Sequence, residues 1–219
     1  MEDTFKHQGW RHQMVEMLRE KGIGDRRVLE AMDAVPRHLF LETMLDYMAY
    51  EDRALPINCG QTISQPSTVA FQSELLDVEP EMKVLEVGTG SGYQTAVLTV
   101  MGAKVYTIER QKELFDITKR RLQQLKYRGK CFLGDGYKGL PEYAPFDRII
   151  ITCGAPSVPE ELLMQLKEGG VMVIPVGEEH QEMLRIVKSG SGVGDIVKQR
   201  YGDCKFVPML GKLEYGKEK

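Results

Sequence analysis

Apolar residues recur at helical spacing in the first third of the chain. The pattern predicts one helix over residues 8–21 and a second over 25–34, which Pro36 ends because proline cannot continue a helix. A stretch rich in turn-forming residues follows, and a third helix is predicted from Pro66 to Leu76. The N-terminal third is therefore expected to be helical, with one long irregular segment.

From Lys83 the pattern changes to short apolar runs that alternate with amphipathic segments. The runs predict strands at Val84–Val87, Val105–Ile108, Cys131–Leu133, Arg148–Thr152 and Val171–Pro175, and the segments predict helices at Tyr93–Val100, Gln111–Tyr127 and Pro159–Leu166. Such alternation is typical of a parallel sheet covered on both faces. Beyond it, Met183–Lys188 and Ile196–Tyr201 flank a glycine-rich stretch and predict an antiparallel hairpin.

Length and composition favour a single domain of the α/β class. The chain has 219 residues, 42% hydrophobic content and a formal net charge of -3. We expect a doubly wound, mostly parallel sheet with N-terminal helices and a C-terminal antiparallel hairpin. Within one domain over 1–219, residues 1–80 would hold the helices and a loop, 81–178 the α/β core, and 179–219 the antiparallel strands.

Charge, hydropathy and cysteine spacing exclude several classes of protein. Basic residues cluster at 119–121 and 126–130, where a solvated helix face explains them better than nucleic-acid binding. No apolar run reaches the ~18 residues of a membrane helix, so no membrane partner and a cytoplasmic location are expected. The four cysteines form no C-x-x-C pair and no cluster with the histidines, which predicts free thiols and no metal site.

The most informative segment is Val84–Tyr93, an apolar strand that runs into a glycine-rich turn at the start of a helix. Gly88, Gly90 and Gly92 let the backbone approach a ligand, and the helix N-terminus presents N–H groups without helical partners. Glu109 ends the next predicted strand, where a carboxylate in a βαβ unit meets ribose hydroxyls. The segment therefore predicts a nucleotide-type cofactor site.

The spacing of these glycines favours one class of cofactor. A dinucleotide fingerprint, G-x-G-x-x-G, needs its third glycine at position 93, but that residue is Tyr93. The pattern is instead E-x-G-x-G-x-G from Glu86, and it resembles the first motif of the class I methyltransferases, whose cofactor is S-adenosylmethionine. A nicotinamide-dependent oxidoreductase is disfavoured, and a glycine turn that serves only tight packing stays an alternative.

Two further predicted strand ends bear on the site. Asp135 lies between two glycines and is suited to accept a hydrogen bond from an adenine amino group, although Gly-Asp-Gly is equally common as a simple turn. After the fourth strand comes Cys153-Gly-Ala-Pro156, where many methyltransferases acting on amino nitrogens have Asn-Pro-Pro-Tyr or Asp-Pro-Pro-Tyr. Base methylation is therefore disfavoured.

The segment from Tyr50 to Pro66 is long for a connector, and long ordered loops often carry function. Its core, Thr62–Pro66, resembles the substrate loop of the protein-L-isoaspartate O-methyltransferases. Stretches similar to that family continue at Ala34–Phe40, Leu85–Thr95, Pro145–Asp147, Gly169–Gly170, Pro175–His180 and Phe206–Pro208. The resemblance thus covers nearly the whole chain.

The resemblance implies a Rossmann-like methyltransferase fold and transfer of a methyl group from S-adenosylmethionine to the α-carboxylate of L-isoaspartyl residues in damaged proteins. The ester then collapses to a succinimide, which starts repair. The resemblance also implies that Ser64 is the active-site serine. The residues it implies as cofactor contacts are Thr62, Ile63, Glu86, Gly88, Gly90, Ser91, Gly92, Glu109, Arg110, Asp135 and Gly136. Those it implies near the substrate are Leu55, Pro56, Ile57, Val207 and Pro208. Isoaspartyl-containing proteins and peptides are the expected partners of a monomeric enzyme.

The chain departs from the family pattern beside this loop. It has Ile57-Asn58-Cys59 where Ile-Gly is usual, and Ser67 where a bulky residue is common. If position 58 needs a positive φ, Asn is the most tolerable replacement for glycine. We also expect the N-terminal helices to close over the cofactor. A methyltransferase for a small molecule or RNA, and a binding protein without transfer activity, stay alternatives.

Overall fold

The computed structural model describes residues 2–190, 192 and 194–211. Three helices precede the main sheet: α1 (Phe5–Glu20), α2 (Arg26–Ala34) and α3 (Pro66–Leu76). α3 has the predicted bounds, whereas α1 begins earlier than predicted because Thr4 caps it. The Thr4 side chain accepts a hydrogen bond from the His7 backbone N–H, and the His7 ring accepts one from the Thr4 backbone.

The stretch between α2 and α3, expected to be irregular, contains short helical turns and a small ribbon. The 3-10 helices are Arg37–Phe40, Thr43–Met48 and Asn58–Gly60, and the two-residue strands β1 (Leu55–Pro56) and β2 (Thr62–Ile63) pair antiparallel. Runs this short show no hydrophobic period, so the sequence pattern could not indicate them. The ribbon holds the loop before α3 in a hairpin.

A seven-stranded sheet forms the centre of the molecule. Its strands are β3 (Lys83–Val87), β4 (Lys104–Glu109), β5 (Lys130–Leu133), β6 (Phe146–Ile151), β7 (Leu166–Val176), β8 (Gln181–Lys188) and β9 (Ile196–Cys204), in the order β5-β4-β3-β6-β7-β8-β9. Strands β3 to β7 pair in parallel, and β7, β8 and β9 pair antiparallel. The predicted α/β class, with its mostly parallel sheet and C-terminal antiparallel hairpin, is confirmed.

Three helices connect the parallel strands: α4 (Tyr93–Val100), α5 (Lys112–Gln124) and α6 (Glu160–Gln165). The main differences from prediction lie at element ends. β7 begins at Leu166, directly after α6, rather than at residue 171, and β9 continues to Cys204. Residues 191 and 193 of the predicted hairpin turn lie outside the described residues.

Alternate residues of the parallel strands pack on opposite faces of the sheet. Ile150 belongs to an apolar cluster that includes residues of α1, α2 and α4, whereas Ile149 and Ile151 belong to a second cluster that includes residues of α6. Both faces are therefore covered, as in a parallel sheet with helical crossovers.

The strand order reverses beside β3. The chain passes from β3 to β4 and β5 on one side and then returns to place β6 on the other side of β3. In open α/β sheets, ligands bind in the crevice outside the carboxyl ends of the strands at such a switch point. The glycine turn follows β3 directly, so the fold places it there.

Candidate active site

A cavity opens at the carboxyl ends of β3, β4 and β6. Its lining residues come from the loop before α3 (Gly60–Ser64) and Val69, from the ends of the parallel strands, and from the segment Val207–Leu210 after β9. Helices α1 and α2 contribute none of these lining residues. Of the three helices before the sheet, α3 alone reaches the lining formed by the described residues, through Val69, so the closure of the N-terminal helices over the cofactor stays a prediction.

The structure brings most of the predicted site residues together in this cavity. Those that line it are Thr62, Ile63, Ser64, Gly88, Gly90, Ser91, Glu109, Arg110, Gly136, Val207 and Pro208. Those that lie outside its lining are Leu55, Pro56, Ile57, Glu86, Gly92 and Asp135. Residues of the second set support the cavity in different ways.

The glycines of the turn serve different purposes. Gly88 has a φ of 97°, and a Cβ there would lie 2.6 Å from Oγ1 of Thr152, which donates a 2.7 Å hydrogen bond to the Gly88 carbonyl. Gly92 has a φ of 87°, and its Cβ would lie 2.8 Å from Cγ2 of Thr118 on α5. Gly88 is thus required at the cavity wall, and Gly92 allows α4 and α5 to pack rather than contacting the cavity.

Glu109 lies where a ribose-binding carboxylate was expected. It is 6% exposed at the end of β4; one oxygen accepts a 3.1 Å hydrogen bond from Gly90 N and the other a 2.9 Å bond from Gln111 N. Each carboxylate oxygen has a second lone pair for a ligand hydroxyl. The backbone bonds fix the side chain at the cavity wall before a ligand arrives.

Glu86, the acidic residue of the glycine motif, lies in the core instead of the cavity. Its side chain is fully buried, Oε2 accepts a hydrogen bond from the Thr95 hydroxyl, and Oε1 has no partner among the described residues. Burial raises the pKa of Glu86 to about 8. The predicted cofactor contact is therefore replaced by a contact that holds α4 against β3.

Asp135 forms the simple turn that the Gly-Asp-Gly sequence allowed. Its Oδ1 accepts a 3.0 Å hydrogen bond from the backbone N–H of Tyr137. The neighbouring Gly136 lines the cavity, and a Cβ there would lie 2.5 Å from Cγ1 of Val87. A hydrogen bond from Asp135 to an adenine amino group stays a prediction.

The C-terminal side of the cavity is held by backbone pairing. Gly154 N donates a 2.8 Å hydrogen bond to the Val207 carbonyl, and Met209 N donates a 2.7 Å bond to the Gly154 carbonyl. The Gln181 carboxamide also accepts from Phe206 N at 2.6 Å and donates to the Phe206 carbonyl at 3.1 Å. Val207 and Pro208 are thereby fixed as a wall next to the end of β6.

The predicted wall at residues 55–57 is displaced from the cavity. Leu55 is 1% exposed and packs in the core opposite Ile63, while Pro56 is exposed. Ile57 is half-buried, and its Cδ1 lies 4.0 Å from where a Cβ on Gly90 would stand. These residues support the loop from behind.

The positive φ in this loop falls one residue later than considered from the sequence. Cys59 has a φ of 59° and Gly60 a φ of 64°, whereas Asn58 is not among the residues with positive φ. The Asn58 carbonyl accepts a 3.3 Å hydrogen bond from Gln61 N, which closes the turn. A cysteine in the left-handed region is uncommon, so the strain of the loop lies at Cys59.

Several lining residues were not predicted to contact a ligand: Gln61, Thr89, Gln94, Gln111, Leu114, Thr152, Cys153, Met209 and Leu210. Most lie at strand ends, at the start of α4, or beside a predicted residue, so their positions in the predicted topology could have indicated them. Leu114 lies on α5, and only the tertiary packing brings it to the cavity.

One group of described residues has spacing compatible with a metal: ligand atoms of Asp3, His7 and His38 lie within 4.8 Å of one another. Arg11 donates to both Asp3 oxygens at 3.0 and 3.1 Å. His7 Nε2 lies 2.9 Å from the Asp46 carboxylate. These side chains form a network around the positively charged guanidinium group of Arg11, and the network lies outside the cavity.

Comparison with known proteins decides the family. The model of the family "Protein-L-isoaspartate(D-aspartate) O-methyltransferase (PCMT)" matches residues 9–214. The chain belongs to this family. Among curated proteins, the protein-L-isoaspartate O-methyltransferase of Christiangramia forsetii is 56% identical over 96% of this chain and 98% of its own length. That of Flavobacterium johnsoniae is 54% identical with the same coverage.

Solved structures of the isoaspartate methyltransferase family have the same fold. A structure named protein-L-isoaspartate O-methyltransferase has a TM-score of 0.84 and 30% identity, covering 93% of this chain and 67% of its own. A Plasmodium falciparum protein of the family, in complex with S-adenosyl-L-homocysteine, has a TM-score of 0.80 and 28% identity, covering 91% and 98%. The family resemblance and the Rossmann-like methyltransferase fold expected from the sequence are confirmed.

Proposed function

We propose that this protein transfers a methyl group from S-adenosylmethionine to the α-carboxylate of L-isoaspartyl residues in damaged proteins and peptides. The methyl ester then closes to a succinimide, which starts repair. The observation that carries the proposal is one cavity shared by the glycine turn and the loop Thr62–Ser64. It occurs in a chain whose 56%-identical relative is named for this reaction.

The cavity fits S-adenosylmethionine, which supplies a methyl group on a positively charged sulfur. At Gly88 and Gly136 a Cβ would clash with Thr152 and Val87, so the backbone itself forms the wall. Glu109 is placed to accept hydrogen bonds from ribose hydroxyls, and Gly136, with Asp135 behind it, would lie beside the adenine. Thr62, Ile63, Gly90, Ser91 and Arg110 complete the proposed contacts.

The reaction needs no general base. An α-carboxyl group has a pKa of about 3.3 to 3.7, so the nucleophile is already ionised at neutral pH. This agrees with a lining that contains neither a histidine nor a lysine among the described residues. Burial raises the pKa of the Cys153 thiol in the cavity wall to about 12, so this sulfur stays protonated and does not compete for the methyl group.

A weakly charged cavity suits the transition state. The carboxylate and the sulfonium partly neutralise each other as the methyl group moves, so strongly polar surroundings would favour the separated ions. Among the described lining residues, only Glu109 and Arg110 carry charge. Alignment of the two reactants in this cavity is therefore expected to supply most of the acceleration.

Ser64 is the proposed catalytic residue. It lies half-buried between β2 and α3 and lines the cavity with Ile63 and Val207. We propose that its hydroxyl orients the substrate carboxylate. Ser64→Ala should lower kcat/KM for an isoaspartyl peptide by about 10- to 100-fold, since one orienting donor is lost. The loss is measured by methyl transfer, with binding of S-adenosylhomocysteine checked by calorimetry.

The matched control is Ser67→Ala. Ser67 is the second residue of α3, three positions after Ser64, and does not line the cavity; its Oγ lies 2.9 Å from Gln65 Nε2. Its variant should keep wild-type turnover. Unchanged turnover in Ser64→Ala would remove the hydroxyl from the mechanism.

The acceptor is tested with peptides that differ only in the linkage at one aspartate. We expect methyl transfer to the isoaspartyl peptide and none to the aspartyl peptide. Equal transfer to both, or transfer only to a small molecule or RNA, would overturn the repair function. Binding of S-adenosylhomocysteine without any transfer would indicate a binding protein.

We further propose that the enzyme acts as a monomer in the cytoplasm, without nucleic-acid or membrane partners. The described part of the chain has no helix long and apolar enough to cross a membrane. Its four cysteines are free thiols, as in a reducing compartment. Sedimentation of the purified protein and fractionation of cells test the two parts of this proposal.

A further inference from the structure

A second groove lies on the surface beside α5. One of its walls consists of Leu39 and Leu41, at the end of the 3-10 helix Arg37–Phe40, and the other consists of residues of α5 and its C-terminal end. Among the described residues, none lines both this groove and the cavity. Two residues of the basic cluster at 119–121 therefore line a concave surface, where the sequence had indicated only a solvated helix face.

The residues of the α5 wall share one face of the helix. Ile117, Arg121 and Leu125 follow one another at intervals of four residues, so each lies about 6 Å from the next along the helix axis. Arg120 and Gln124 are exposed and form the edge of the groove. The row along α5 is therefore apolar at both ends and has one arginine in its middle.

The apolar side chains of the groove keep surface that the core does not cover. Ile117 is half-buried, yet it neither belongs to nor packs against the two apolar clusters of the described residues. Leu39 and Leu125 pack against one cluster and keep part of their surface open. Covering such surface with another apolar group is favourable. The groove is therefore suited to the apolar part of a ligand.

Arg121 is a half-buried cation without a carboxylate partner among the described residues. Its Nη1 donates a 3.1 Å hydrogen bond to the Ser91 carbonyl, and this is the one hydrogen bond that the side chain makes within the described part of the chain. Burial lowers the pKa of Arg121, and no neighbouring charge in that part opposes the effect. Arginines withdrawn from water are normally paired, so a partner for this charge is expected.

The remaining donors of Arg121 are open to solvent. Nε and Nη2 make no hydrogen bond to the described residues, and they are not among the atoms that the protein encloses completely. The bond from Nη1 to Ser91 holds the guanidinium plane, so less conformational freedom is lost when a ligand binds. Two N–H groups held in one plane match the two oxygens of a carboxylate.

We propose that this groove is a binding site for a small carboxylate that carries an apolar chain. The carboxylate pairs with Nε and Nη2 of Arg121, and the chain covers Ile117 or Leu125, each about 6 Å away along the helix. Because Arg120 is exposed, Arg121 alone meets the ligand below the surface, which favours a singly charged head over a phosphate. The site does not depend on the reaction proposed for the cavity.

Binding of three small molecules tests the site. Hexanoate, acetate and hexylammonium are titrated separately into isotope-labelled wild type with excess S-adenosylhomocysteine, and NMR follows the backbone amides of residues 39–41 and 117–125. Hexanoate should bind at least about tenfold more tightly than the other two, since it alone has both the charge and the chain. Equal affinity for acetate or for hexylammonium, or no response to hexanoate, would overturn the proposal.

Two arginine variants test the ionic contact. Arg121→Met keeps an apolar side chain without the charge and should weaken hexanoate binding about tenfold or more, as for a lost hydrogen bond between charged groups. Arg128→Met removes the same charge from an exposed arginine outside the lining and should change the affinity by less than about twofold. Equal losses in the two variants would show a response to net charge alone and would contradict the role of Arg121.

A third variant keeps the test decisive even if Arg121→Met does not fold. A glutamate four residues before an arginine favours a helical ion pair, so Ile117→Glu should occupy Arg121 and abolish hexanoate binding while α5 stays folded. Gln123→Glu adds the same charge to an exposed position of α5 outside the groove and should bind hexanoate as wild type does. Full binding by Ile117→Glu would refute the site. Failure of wild type to bind S-adenosylhomocysteine would instead refute the proposed function and leave the hexanoate site standing.

Discussion

At the scale of single residues, two glycines distinguish the need for a positive φ from the need for space beside the backbone. Gly22 and Gly88 have nearly the same φ, 95° and 97°, yet a Cβ at Gly22 would meet nothing within 4 Å. At Gly88 it would lie 2.6 Å from Thr152 Oγ1. The two positions therefore differ in steric demand and share the cost of a left-handed side chain.

Replacing each glycine by alanine should reveal this difference. Gly22→Ala and Gly88→Ala should both lower the free energy of unfolding by about 1–2 kcal/mol, because a left-handed alanine is strained. Gly88→Ala should lower the free energy of unfolding beyond this common strain, because the turn must move away from Thr152. For the same reason it should weaken binding of S-adenosylhomocysteine. Urea denaturation and calorimetry measure the two quantities. Identical losses in both variants, with binding intact, would contradict the steric role of Gly88.

At the scale of elements, the sequence predicted best where a periodic pattern extends over several residues. The bounds of α3 and α4 were predicted to the residue, because Pro66 begins α3 and Gly92 directly precedes α4. The 3-10 turns before α3 and the positive φ of Cys59 depend on contacts made by the loop, which no local pattern records.

The candidate site was predicted less completely than the fold. Residues that belong to a motif were identified, but membership of the motif did not show whether the Glu86 side chain faces a ligand or the core. Strand alternation held the answer, because Glu86 shares a face with Val84, which packs in the apolar cluster beside α4. Gln94 lies in a stretch similar to the family, but its hydrogen bond to Ser73 exists only once α3 and α4 are packed.

The contact between β3 and α4 through Glu86 should make stability depend on pH. The folded-state pKa of Glu86 is about 8, above the value of 4.5 that is ordinary for a glutamate, because the carboxyl group is buried. The contribution of Glu86 to the free energy of unfolding is therefore fully present below its pKa in the unfolded state. This contribution is lost as the pH rises through its pKa in the folded state. The free energy of unfolding of wild type should fall between pH 5 and pH 8 relative to that of Glu86→Gln, which cannot ionise. The free energies of unfolding are measured by urea denaturation at each pH. A difference between the two proteins that stays constant across this range would refute the raised pKa.

At the scale of the whole molecule, the cavity joins parts of the chain that are far apart in sequence. One apolar cluster contains residues from α1, from the parallel strands and from β8, so these elements share a core. The single domain over 1–219 stays a prediction. The cover of the cavity is different, since it depends on a short segment after β9 that Gln181 clamps at Phe206.

Removing this clamp should loosen the cover and leave the sheet intact. In Gln181→Met, amide hydrogen exchange of residues 206–210 should rise, and KM for an isoaspartyl peptide should increase several-fold while α4 and α5 exchange as in wild type. Gln199→Met is the matched control, because Gln199 lies exposed on β9 and contacts Arg185 rather than the segment. Unchanged exchange of 206–210 in Gln181→Met would show that the pairing with Gly154 alone holds the cover.

The late position of this cover in the chain separates the sheet from the complete cavity. A chain cut after residue 205 would keep all seven strands of the sheet but would lack Val207–Leu210 of the cavity wall. A ligand that requires the complete wall stabilises the full chain and not such a fragment. Stabilisation by S-adenosylhomocysteine would therefore distinguish intact protein from protein clipped after β9.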